Sequence, residues 1–170
     1  MICGLCACSS VGVADNIEDS LNSSNHSAGG FDFTLYSNKK TYKTTEAVEI
    51  WAELVYTGKE DNITIWSDEP YANFFITDGA EYNAGNAHWL VLKSTVLEKG
   101  EVLRSDYKEF KIWYEDMPNA EALKESFNQK ELFLPTGKYV ITAEADFALS
   151  ERMGAEKSGL ICELEIEVVE

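Results

Sequence analysis

The chain has 170 residues, 45% of them hydrophobic and 12% aromatic, enough for one domain with a real core plus a tail. Thirty acidic residues against fourteen basic ones leave a net charge of −16, which excludes the basic surface that nucleic-acid phosphates require and opposes adsorption to anionic lipid. No run of about 18 apolar residues occurs, so nothing in the sequence as written reads as a membrane span.

In chain order, the first informative stretch is Leu5-Cys6-Ala7-Cys8, followed by Ser9-Ser10. It resembles the lipobox of bacterial lipoproteins: an aliphatic residue, two small residues, then a cysteine that is acylated after signal cleavage. The resemblance implies that Cys8 is the lipidation site and that residues 1–8 are the remnant of a signal segment. It places the domain at the extracellular face of the cell membrane, touching the membrane only through its lipid. A secretory signal carries a positive segment and then an apolar run of about 7–15 residues. Met1-Ile2-Cys3-Gly4-Leu5 reads as the end of such a run, with the start lying upstream. Cys3, Cys6 and Cys8 lack the fourth nearby ligand that structural zinc takes, so no metal or other cofactor is expected. Residues 9–30 are rich in Ser, Asn, Asp and Gly, too polar to offset the entropy of ordering, and read as a flexible tether that includes His26.

From Phe31 to the end at 170 the dominant period is two, the signature of strands. Phe31, Phe33 and Leu35 alternate with polar residues. Val48, Ile50, Ala52, Leu54 and Tyr56 share one face, with Trp51 opposite. Residues 63–66 and 72–77 read as two short strands, the second closed by Asp78-Gly79. Residues 89–97 and 102–113 flank Glu98-Lys99-Gly100-Glu101, a hairpin-like turn, and Trp113 falls opposite the apolar run of its strand. Residues 118–127, with Pro118 near the start and Leu123 and Phe127 four apart, predict a short helix or structured loop. Tyr139, Ile141, Ala143, Ala145 and Phe147 face inward, and Leu160, Cys162, Leu164, Ile166 and Val168 repeat the pattern. Cys162 therefore reads as an inert core residue.

Strands in this number predict an all-β fold: an immunoglobulin-like antiparallel β-sandwich of about 7–9 strands with a short helical insertion. Leu134-Pro135-Thr136-Gly137-Lys138-Tyr139 sharpens this, because L-x-x-G-x-Y before the next-to-last strand fits a tyrosine corner. Together with Ile63-Thr64-Ile65-Trp66-Ser67, Phe74-Phe75-Ile76-Thr77-Asp78-Gly79 and Val96-Leu97-Glu98-Lys99-Gly100-Glu101, that corner is similar to the BsuPI-type proteinase-inhibitor domain over roughly residues 46–147. The resemblance implies an immunoglobulin-like sandwich. Its motifs are structural, no inhibitory residue is carried by them, and the loop at 83–88 and the segment at 117–130 depart from the family pattern.

The chemistry-bearing residues are sparse. Only His26 and His88 exist, and nothing near His88 marks a nucleophile, so no enzymatic activity is expected. Asp68-Glu69 and Glu115-Asp116 lack the spacing of a calcium loop. Trp66, Tyr71, Tyr82, His88 and Trp89 fall at strand ends or loops and are the candidate binding residues, because exposed aromatics anchor protein or glycan partners. The expected function is non-catalytic binding in the cell envelope with an unidentified protein or glycan ligand. The alternatives are a BsuPI-like proteinase inhibitor, acting through residues 66–71 or 83–88, and an accessory domain of an envelope assembly.

Overall fold

The computed structural model describes residues 21–86, 89–108, 131–151 and 157–170, with backbone alone at 89 and 90. Among these, the chain forms ten strands in two sheets. Sheet one has the order β1(Asn22–Ala28), β2(Phe31–Ser37), β4(Ile50–Tyr56), β8(Val102–Asp106). Sheet two has the order β3(Thr41–Lys43), β10(Leu160–Val169), β9(Gly137–Ala148), β5(Asn62–Thr77), with β6(Asn83–Gly85) and β7(Trp89–Glu98) on different stretches of β5.

The period-two pattern decides which faces meet. Phe33, Leu35, Ala52 and Leu54 of sheet one and Ile65, Phe74, Ile76, Ile141 and Ala143 of sheet two have no exposure and form the shared core. The arrangement is the expected β-sandwich, with the chain crossing between the sheets from β2 to β3, β3 to β4, β4 to β5, β7 to β8 and β8 to β9. Not every pair is antiparallel: β3 lies parallel to the C-terminal end of β10. The tyrosine corner is present, with the Tyr139 hydroxyl donating to the Pro135 carbonyl at 2.8 Å above the buried Leu134.

Three sequence expectations are corrected. The tether does not run to residue 30, because Asn22–Ala28 is strand β1, paired with β2 over its whole length. Gly29 and Gly30, at φ of 63° and 82°, make the tight two-residue loop that joins them, a conformation open to glycine. A strand this polar buries no apolar side chain. It forms because backbone pairing satisfies every second peptide group and its inward side chains find partners on the other sheet. Asn22 Nδ2 donates to the Glu165 carbonyl at 2.9 Å, and His26 Nδ1 lies 3.2 Å from the Ile161 amide and 3.1 Å from its carbonyl. His26 is thus an edge cap on β10 rather than a tether residue.

Secondly, the turn at Glu98-Lys99-Gly100-Glu101 closes tightly, with the Glu101 amide on the Glu98 carbonyl at 3.0 Å and Gly100 at φ 82°, but it makes no hairpin. Strand β7 pairs with β5 and β8 with β4, so the turn carries the chain from one sheet to the other. Thirdly, the short strands at 63–66 and 72–77 are one strand, β5, with a register irregularity between Ser67 and Ala72. Pro70 has no N–H to give a ladder, which explains why the pairing breaks there.

The Tyr107 amide bonds the Ile50 carbonyl at 2.9 Å and the Val48 amide bonds the Leu132 carbonyl at 2.8 Å. The chain therefore leaves the edge of β4 after Lys108 and rejoins the same edge by Leu132. The predicted helical insertion at 118–127, and Trp113, lie outside the described residues.

Candidate functional site

The described residues form a groove on one flank of the sandwich, between edge strand β8 and the irregular stretch of β5. Its volume is about 530 Å³. Leu103, Arg104, Ser105 and Asp106 form one wall, continued by Lys108. Residues 67–71 of β5, with Lys93 and Thr95 of β7, form the other, and Asn86 closes one end. Both the break in β5 at Pro70 and the passage from β7 to β8 are needed to create it.

Most polar groups here are already engaged. Arg104 pairs with Asp106 at 2.8 Å and lies 4.5 Å over the Trp51 ring. Lys93 and Glu69 are 3.5 Å apart and well exposed, a contact that contributes little. Asn86 acts as a substitute strand residue, its Oδ1 accepting from the Phe74 amide at 2.8 Å and its Nδ2 donating to the Ala72 carbonyl at 3.0 Å. The Tyr71 hydroxyl donates to the Leu103 carbonyl at 2.8 Å and so ties the two sheets together at the groove floor. Burial first, and the Glu53 carboxylate second, push the Tyr71 phenol far above its ordinary value, so it stays protonated. One floor group is different: the Ser105 hydroxyl is buried and has no hydrogen-bond partner among the described residues. Such a group costs free energy that a satisfied hydroxyl would not.

The candidate residues scatter. Tyr71 reaches the groove, but at 6% exposure it is a core staple and not an exposed anchor. Trp66 is half-buried on the outer face of sheet two, beside Ser94 and Ala148. Tyr82 is half-buried and packs edge-on against Tyr139, with centroids 5.5 Å apart. Trp89 pairs with Glu69 through its backbone, and its side chain lies outside the described residues, as do Cys8 and His88. Trp51 does face outward, yet Tyr36 stacks on it at 5.1 Å and Arg104 lies over the ring, so both of its faces are spoken for. Sequence reasoning missed Arg104, Ser105 and Lys93, while Asp68 and Asn86 lie within the 66–71 and 83–88 segments it named as candidate loops. The available signals were Ser105 at an inward position between Leu103 and Tyr107, and Pro70 inside a strand pattern.

Among the described residues, no three His, Cys, Asp or Glu side chains are placed to hold a metal ion, and no helix is long and apolar enough to cross a membrane. No protein-family model matches the chain, and no curated protein matches it. A solved structure of a β-glucosidase from Erythrobacter marinus is similar at 18% identity and a TM-score of 0.41, covering 82% of this chain and 15% of that one. This chain thus spans a small part of that enzyme's length.

Proposed function

We propose that this chain is a lipid-anchored, non-catalytic binding domain of the bacterial cell envelope. The observation that carries the binding part is the flank groove. Arg104 is held by Asp106 and the Tyr71 hydroxyl by the Leu103 carbonyl across the sheets, an arrangement suited to contact and not to proton transfer. The anchoring part rests on Leu5-Cys6-Ala7-Cys8 and on the spacing that follows. Strand β1 begins at Asn22, so residues 9–21 remain as spacer, with a maximal reach of about 45 Å at roughly 3.3–3.6 Å per residue.

Expression from the genomic upstream sequence in the native host, followed by intact-mass analysis, tests this. A glyceryl-lipid mass on Cys8, lost together with membrane partitioning in Cys8→Ala, is the expected result. Unmodified soluble protein would overturn the anchor. The BsuPI-like inhibitor alternative requires a rigid exposed loop. Residues 66–71 belong to β5 with Tyr71 buried, and Asn83–Gly85 is strand β6, so a protease panel should show no inhibition.

A further inference from the structure

We propose that the outward edge of β8 is a strand-addition site, at which an extended peptide from a partner protein lies in the groove and lengthens sheet one. This inference rests on the binding reading above and names its site and ligand class.

The hydrogen-bond parity supplies the first argument. The Tyr107 amide bonds the Ile50 carbonyl, and antiparallel pairs alternate between bonded and non-bonded, so Leu103 and Ser105 also turn their peptide groups toward β4. The other edge of β4 agrees, because Asn38 bonds Glu49 and leaves the intervening residues of β4 for β8. The N–H and C=O groups of Val102, Arg104 and Asp106 therefore point away from β4. Among the described residues no strand pairs with them, and β8 ends the sheet. Strand β7 passes directly to β8 through a tight turn, and the groove runs beside β8, lined by Leu103 to Asp106 and Lys108.

The groove chemistry selects the ligand. Asp68, Glu69 and Asp106 are balanced by Lys93, Arg104 and Lys108, a locally neutral site in a chain of net charge −16. Neither a polyanion nor a polycation matches it. Among the described residues its one aromatic, Tyr71, is 6% exposed and offers no ring face for a sugar to stack on. What the wall offers is strand-spaced backbone, which recognises another strand. The floor residues Ser67, Thr95 and Ser105 favour small or β-branched polar side chains at the positions pointing inward.

The test selects a randomised, end-blocked heptapeptide display library against the full chain and follows the enriched peptides by amide chemical shifts. Saturable shifts at Val102, Arg104 and Asp106 are expected. Arg104→Pro removes one outward N–H while keeping the β4 ladder, since proline is tolerated where an edge N–H faces away, and should weaken binding about tenfold or more. Arg104→Ala removes the side chain but keeps the outward N–H, and should weaken binding clearly less than Arg104→Pro because the recognising contacts are main-chain. The same peptide N-methylated at alternate residues should not bind, a control that holds even if Arg104→Pro misfolds. No enrichment, undiminished binding by the N-methylated peptide or by folded Arg104→Pro, or groove shifts with chitooligosaccharides in place of peptides would each overturn the proposal. Envelope partners captured equally by wild type and Arg104→Pro would overturn this site yet leave the binding reading standing.

Discussion

The two flanks of the sandwich treat their edges in opposite ways. On one flank, the edge of β10 is paired near its C-terminal end by β3, and farther back it is capped by Asn22 and His26 reaching across from β1. On the other, among the described residues, β8 and β7 end their sheets and a groove separates them. An unpaired edge invites pairing with another chain; β1 and β3 also end their sheets, but on their flank polar side chains bridge the two sheets, whereas the groove keeps β8 apart from β7. A polar segment can be structural when its side chains satisfy another strand's backbone, and an ordered flank can still present unpaired groups.

The comparison can be broken most severely through the core that both flanks share. Phe33→Ala, at a position with no exposure, should cost about 3–5 kcal/mol in urea unfolding. A loss under about 1 kcal/mol would mean that the sheets do not pack as described. The closed flank comes next. Asn22→Ala with His26→Ala should cost about 1–3 kcal/mol together and speed hydrogen exchange at Ile161, because two caps on β10 are removed. Unchanged exchange at Ile161 would return β1 to the status of a tether.

On the open flank, Tyr71→Phe should cost about 1 kcal/mol through loss of the bond to Leu103. The flanks should also differ in alkali. The Cys162 thiol, beside β2 and donating to the Phe33 carbonyl, is raised by burial from 9.0, and Tyr71 is raised by burial from 10.0. A folded value above the unfolded one gives stability that is complete below the unfolded value and lost as pH rises. Stability should therefore begin to fall near pH 9 through Cys162 and fall further above pH 10 through Tyr71, joined by Tyr42 and Tyr139, which burial also raises. Cys162→Ala should remove the earlier limb alone, and denaturant titrations at stepped pH would reveal a single limb if this order is wrong. Smallest of all, Ser105→Ala should change stability by less than about 0.5 kcal/mol or raise it, since its hydroxyl has no partner to lose among the described residues. A loss beyond about 1 kcal/mol would show that the hydroxyl is bonded in solution.

The sequence by itself determined the all-β class, the inward faces of β2, β4, β9 and β10, the burial of Cys162 and the tyrosine corner. Each follows from an interaction between residues close along the chain: alternation settles which side of a strand is apolar, and the L-x-x-G-x-Y spacing lets a hydroxyl reach back to Pro135. Pairing partners were not accessible in this way, because any two strands of matching parity can share a ladder. Tertiary structure decided that β7 and β8 part company after a tight turn, that β5 runs through its break at Pro70, and that the polar Asn22–Ala28 becomes a strand. The groove exists only as the sum of those decisions. Ser105, Arg104, Lys93 and Asn86 come from strands and loops that meet across two sheets, and no local period marks such a meeting.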